Sequence, residues 1–132
     1  MQLYGIKIRD KEIMLFYLRA KNIDFWKRNQ WVGSKKQHVK PDGIIKCKSF
    51  YIIIECDENF HSSGYSTELG RMMFIREQYN KEVVFLWVGT KNGSIVDKEQ
   101  LKTVLHQVEK YSKMNKIESK VVKVAHSKTR SH

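Results

Sequence analysis

A mixed-sheet α/β domain is what this sequence predicts, and three observations predict it. Tyr51-Ile52-Ile53-Ile54 and Val83-Val84-Phe85-Leu86-Trp87-Val88 are unbroken apolar runs rich in β-branched and aromatic residues, the pattern of strands buried on both faces. Between them lies a segment of helical length with one apolar side, and a strand–helix–strand unit makes its two strands parallel neighbours through a right-handed crossover. Ahead of the first run, Pro41-Asp42-Gly43-Ile44-Ile45 and a short turn fit a strand that pairs antiparallel with it. The expected order is a helix, three mostly antiparallel strands, a crossover helix, one parallel strand and a last helix. That is a mixed four-stranded sheet flanked by helices.

The elements follow in chain order. Met1 to Arg9, with Leu3, Ile6 and Ile8 apolar, reads as a short strand or an ordered lead-in. Asp10 can cap the next helix by accepting an orphan amide from its first turn, where Glu12 also falls. Ile13 to Leu18 is apolar nearly all round, so this helix is expected to be buried, ending near Lys21-Asn22. Phe25 to Trp31 alternates ring and polar residues and reads as a strand that breaks at Gly33-Ser34; Trp26, Trp31 and Trp87 read as core rather than base-stacking groups, with Trp31 the best exception. Lys35, Lys36, His38 and Lys40 then approach Asp42, and Pro41 holds Lys40 extended. Lys46 to Ser49 turns the chain back into Phe50 to Cys56.

Ser62-Ser63-Gly64 is a loop. Ser66 or Thr67 caps a helix to about Asn80, with Leu69, Met72, Met73 and Ile75 as its apolar side. Asn92-Gly93 turns the chain after the second apolar run. Asp97 and Gln100 have the spacing of a capping box, and Leu101, Val104, Leu105 and Val108 form the stripe of the last helix. From Lys113 the chain is basic, with Val121 to Val124 as an edge strand or part of a tail. The expected organisation is one domain over residues 1–132, its core about 12–112 and a basic tail about 113–132.

Charge narrows the partners. In 132 residues, 25 Lys and Arg stand against 14 Asp and Glu, a formal net charge of +11. Such a field attracts polyanions, with nucleic acid ahead of anionic membrane. No run approaches the roughly 18 apolar residues of a spanning helix, and no signal-peptide pattern opens the chain, so a soluble protein of the cytoplasm or nucleus is expected. Cys47 and Cys56 make neither a CxxC pair nor a zinc set; their spacing leaves a disulfide open, and both are read as reduced.

The chemistry concentrates where the first apolar run ends. Asp42 follows a proline, Glu55 comes thirteen positions later and Asp57 two after that, with His61 close behind. Side chains alternate along a strand, so Glu55 and Asp57 share a face, and an antiparallel neighbour carrying Asp42 brings a third carboxylate beside them. Uncompensated charge at the end of a buried strand is costly, and oxygen donors alone suit a hard divalent ion such as Mg²⁺ or Mn²⁺. Ordinary roles stand beside this one: Asp42 as a turn residue, Glu55 paired to a lysine, Asp57 capping a loop. His61, titrating near neutrality, suits a metal ligand or a proton carrier. Lys35, Lys36 and Lys40 before the cluster, and Arg71 after it, are placed to hold phosphates.

These residues carry a resemblance. Lys40-Pro41-Asp42-Gly43-Ile44-Ile45, then Tyr51 to His61, then Tyr65, Glu68 and Arg71 resemble the PD-(D/E)xK nuclease superfamily. The likeness is to the branch similar to very-short-patch-repair endonucleases and EDxHD homing endonucleases, with Glu12 matching the acid which that branch carries on its first helix. The resemblance spans about Glu12 to Val88 and implies a restriction-endonuclease-like core and metal-dependent hydrolysis of a phosphodiester backbone. By matching positions it makes Asp42, Glu55 and Asp57 the metal ligands and His61 the proton carrier, with Glu12 orienting water, metal or that histidine. Asp57 stands where the superfamily usually has a lysine, Glu58 where bacterial members have a glycine, and the structural zinc cluster of the repair enzymes is missing. The expectation is a DNA endonuclease working as a monomer or homodimer. A non-catalytic nucleic-acid-binding module and an RNA endonuclease are the alternatives.

Overall fold

The computed structural model describes residues 2–3, 6–7, 9–57, 67–90 and 96–126. Glu58, His61, the 62–64 loop, Tyr65, Ser66, Asn92-Gly93 and the end of the tail lie outside the described residues. In chain order the elements are β1 (Gln2–Leu3), β2 (Ile6–Lys7), α1 (Asp10–Ala20), β3 (Lys27–Arg28), β4 (Val32–Gly33), β5 (His38–Val39), β6 (Gly43–Lys46), β7 (Phe50–Asp57), α2 (Glu68–Tyr79), β8 (Glu82–Gly89), α3 (Lys98–Ser112) and β9 (Lys120–Val124).

The main sheet has five strands, not the four expected, in the order β3-β6-β7-β8-β9. The first three are antiparallel, and β7, β8 and β9 run parallel. The added strand is β9, from the basic segment read as either an edge strand or part of a tail; it is the edge strand. Its start is held by Ser119, whose hydroxyl accepts the Val83 amide at 2.9 Å, while its own amide and hydroxyl donate to Glu82 Oε1 at 2.9 and 2.8 Å. Those two hydrogen bonds keep the Glu82 carboxyl below its usual range. Lysines at 120 and 123 hide the strand from a reading by composition, yet Val121, Val122 and Val124 pack against the core.

Burial on both faces explains why β7 and β8 read as continuous apolar runs. Ile52, Ile54, Val84, Leu86 and Val88 lie on one face with Met14 and Leu18 of α1 and Val104 and Val108 of α3. Ile53, Tyr51, Val83 and Phe85 lie on the other with Met72, Phe74 and Ile75 of α2. The parallel pairing of β7 with β8 across α2 is as expected. The next connection, through α3, crosses the opposite face while the sheet keeps growing in the same direction. The two crossovers therefore have opposite hands, although the usual rule makes both right-handed.

Local signals at the helix ends were partly right. Thr67 caps α2 by accepting the Gly70 amide, and Asn80 ends it in a left-handed conformation at φ 52°. Asp97 caps α3 by accepting the Gln100 amide at 2.7 Å. Gln100 does not complete a capping box. It is 1% exposed, and its Nε2 donates to the carbonyls of Gly89 and Val124, tying the ends of β8 and β9 to the start of α3. Asp10 is the first residue of α1 rather than its cap, and its buried carboxylate accepts the Val96 amide at 3.1 Å. Helix α1 is buried on one side only, with Phe16 in solvent, and α2 likewise exposes Leu69 and Met73.

The stretch from Phe25 to Trp31 contributes only Lys27–Arg28 to the sheet, and Trp26 and Trp31 are exposed rather than core. The chain instead makes a separate hairpin of β4 and β5 before entering β6. Cys47 and Cys56 are not joined by a disulfide. No helix among the described residues is long and apolar enough to cross a membrane.

Gly43, the first residue of β6, tests how tightly this region is packed. A Cβ there would lie 2.6 Å from Phe25 Cε1 and 3.3 Å from Leu15 Cδ2. Gly43→Ala is expected to cost about 1–3 kcal/mol in urea unfolding. Adding Phe25→Leu should recover part of that loss, and strictly additive effects would refute the proposed clash.

Candidate functional site

The pleat of β7 decides where its acids go. Glu55 and Asp57 are two residues apart and so project to the face that α2 covers. Asp42 immediately precedes Gly43, whose ladder partner is Ile54, so the chain lays it across from Glu55. Asp42 is 6% exposed, and its Oδ2 accepts the Cys56 amide at 2.7 Å. Its carbonyl accepts the Asn29 amide at 3.0 Å, fastening it to the end of β3 as well. The carbonyl of Asp57 accepts both the amide and the hydroxyl of Thr90, so the ends of β7 and β8 are joined there.

Glu55, 13% exposed, needs a cation, and α2 supplies it. Arg71, one turn into that helix, donates Nε and Nη2 to the two Glu55 oxygens in a bidentate fork. Burial pushes the Glu55 carboxyl above its usual value, the hydrogen bonds and charge of Arg71 oppose that rise, and Asp57 adds to it. The sequence reading placed Arg71 on phosphate; the structure places it on Glu55.

A further cation reaches the same face from β9. Glu55 pairs with Trp87 in one ladder and Trp87 with Lys123 in the next, so a single row runs Glu55, Trp87, Lys123. Lys123 Nζ is 3.0 Å from Glu68 at the start of α2 and 5.6 Å from the centre of the Trp87 ring. The Glu68 carboxyl lies below its usual range, chiefly through its own backbone amide and then through Lys123. Lys123 was missed because Val121 to Val124 was left between an edge strand and a tail, with no partner strand assigned to it; the alternation of valine and lysine was the available signal.

The remaining candidates are more dispersed. Glu12 is exposed on α1, which covers the other face of the sheet, and among the described residues no hydrogen bond or ion pair links it to the strand acids. Lys35 and Lys36 are exposed in the turn of the β4–β5 hairpin, and Lys40 Nζ lies 5.2 Å above the Trp31 ring. His61 lies outside the described residues. Among the described residues no group of three or more His, Cys, Asp or Glu is arranged to hold a metal ion. What does come together is a pair of oxygen donors on adjacent strands, Asp42 and Glu55, with Asp57 one step along. Hard oxygen donors fit Mg²⁺ or Mn²⁺ in kind, and Arg71 now supplies the positive charge that Glu55 requires.

Compared with family models, with characterised proteins and with solved structures, this chain matches none.

The Glu55–Arg71 fork generates a test with a defined sign. A carboxyl whose folded pKa is raised favours the fold below the unfolded value, about 4.3, and that advantage is lost as pH rises through the folded value. Arg71→Ala removes the opposing cation and raises the Glu55 value further. The variant should lose about 2 kcal/mol relative to wild type at neutral pH, between the values for exposed and fully buried pairs. The difference should shrink towards zero below about pH 4. A loss equal at both pH values would mean that Arg71 acts through packing alone.

Proposed function

We propose that this chain is a metal-dependent nuclease that hydrolyses phosphodiester bonds, with DNA as the first substrate. The observation that carries the reading is the register that sets Asp42 across from Glu55 at the carboxyl end of β7, with Asp57 next on the same face of the strand, at the rim where a cation-rich hairpin enters β6. A net charge of +11 supplies the long-range attraction for a polyanion, and the acids form a local negative site within it.

In this reading Asp42, Glu55 and Asp57 hold Mg²⁺ or Mn²⁺. The chemistry supplied by the bound ion is Lewis-acid polarisation of a phosphoryl oxygen and a water acidic enough to attack at neutral pH. Everything else is done by the chain. The Cys56 amide fixes the carboxylate of Asp42 against β7, and the pleat keeps Glu55 and Asp57 on one face. Arg71 holds Glu55 in place through its fork. Lys123 and Lys40 flank the site from β9 and from the hairpin. His61, by its position four residues after Asp57, carries the proton in the sense that the nuclease resemblance implies.

A second reading has its own observation. Both Glu55 oxygens engage Arg71, and Asp42 engages a backbone amide, which is what structural acids do. On that reading the chain is a nucleic-acid-binding module, and an RNA endonuclease differs from the first reading only in substrate.

Cleavage assays on duplex, single-stranded and branched DNA and on RNA, each with Mg²⁺, Mn²⁺ or EDTA, separate these readings. The nuclease reading expects cutting with either metal and none in EDTA. Asp42→Asn and Glu55→Gln should each lower the rate by about a hundredfold or more while binding persists. Binding without cleavage on every substrate, unchanged in Asp42→Asn, would leave the binding module standing.

A further inference from the structure

The hairpin of β4 and β5 leaves the sheet after β3 and returns through Lys40 and Pro41 directly into Asp42. Its root is rigid. Val32 and Val39 are buried with Phe74 of α2 beneath them. Gly33, at φ +115°, is pressed so close that a Cβ would lie 2.4 Å from the Gln37 carbonyl oxygen and 2.8 Å from Phe74 Cζ. The Ser34 amide donates to the Gln37 carbonyl at 2.9 Å, and the Gln37 amide donates to Ser34 Oγ at 3.2 Å.

On this base Trp31 stands 61% exposed. An indole left in water forgoes burial energy, yet the ring is not loose. His38 meets it at a steep angle with centroids 4.4 Å apart, and the His38 ring is itself oriented by donating Nδ1–H to the Ser34 carbonyl at 2.8 Å. Lys40 Nζ lies 5.2 Å from the ring centre. Over the whole stretch from Phe25 to Pro41 the chain carries Lys27, Arg28, Lys35, Lys36 and Lys40 and no Asp or Glu. The stretch therefore presents an oriented aromatic plane set among cations, with no acid of its own.

We propose that Trp31 is a stacking platform for an unpaired nucleobase, with Lys35, Lys36 and Lys40 taking the flanking phosphates. The proposal rests on the nucleic-acid reading above and names its substrate class: a strand that is single-stranded, or locally unpaired, where it meets the acid cluster. Charge selects this occupant, because a plane beside cations serves a ligand that alternates flat rings with phosphates. A base inside an intact duplex has both faces stacked on its neighbours and offers none to Trp31. Because the hairpin runs straight into Asp42, a base held on Trp31 puts its backbone beside that residue. The platform is also prearranged, so stacking costs little side-chain entropy.

The test measures binding by anisotropy of labelled oligonucleotides of about 15 residues, matched to the site sizes of single-strand binders. EDTA is present throughout, so that cleavage plays no part. The probes are oligo-dT, oligo-U and a blunt duplex; the proteins are wild type, Trp31→Ala and Trp31→Phe. Trp31→Ala is expected to weaken single-strand binding about tenfold or more and leave duplex binding within about twofold, and Trp31→Phe to restore most of the loss. The oligo-dT and oligo-U arms tell a DNA platform from an RNA one. Equal losses on duplex and single strands, or no loss on either, would overturn the platform while leaving the nuclease reading intact. If wild type binds no probe, the platform and the nucleic-acid reading fail together. Selective loss in EDTA from a protein that never cleaves with metal would uphold the platform and remove the nuclease.

Discussion

The structure depends on one constraint: β7 is covered on both faces, so any charge at its end must be met from outside the strand. Ile52, Ile53 and Ile54 are each fully buried, and Glu55 follows them without a break. Leaving that carboxylate unpaired would cost about 2 kcal/mol, a large share of a marginal domain stability. Arg71 meets the charge from α2, and Cys56 meets Asp42 from the backbone. The position of α2 over this face, the pairing of β6 with β7 and the geometry of the acid cluster are thus linked. A shift in any one of them strands a charge.

The same arrangement gives the cluster its two possible uses. Asp42 and Glu55 are held on adjacent strands, and the guanidinium of Arg71 meets the charge of Glu55 there. Around this local negative spot the rest of the surface is basic. The β4–β5 hairpin brings cations and an exposed indole to one side, and β9 brings Lys123 to the other. On the nucleic-acid reading proposed above, a polyanion drawn in by the overall field meets contacts on both sides of the acids.

Legibility in the sequence followed the range of each interaction. The placement of Asp42 across from Glu55, and of Glu55 and Asp57 on one face, was readable because strand alternation and a short hairpin set it with few residues between. Thr67, Asn80 and Asp97 were readable because a cap is a contact with a residue three or four positions away. Arg71 was singled out correctly but given the wrong partner, since sequence cannot tell a carboxylate from a phosphate as the target of a guanidinium. Trp26 and Trp31 read as core, with Trp31 the best candidate for base stacking instead; Trp26 lies half-exposed against Tyr51 and Tyr79, and a hairpin that packs Val32 and Val39 inward turns Trp31 out.

By itself, then, the sequence determined the α/β class, the two central strands, the helix between them and the acids at the end of β7. These depend on burial patterns and spacings that are local. Only the tertiary structure decided that β9 joins the sheet, that the two crossovers have opposite hands, that Gln100 turns inward to bind Gly89 and Val124, and that Lys123 stands in line with Glu55. Each of these joins residues eleven or more positions apart in the chain. Whether such a contact forms is settled by which buried polar group still lacks a partner and which apolar edge still lacks a cover, and that depends on the whole assembled fold rather than on any stretch of it.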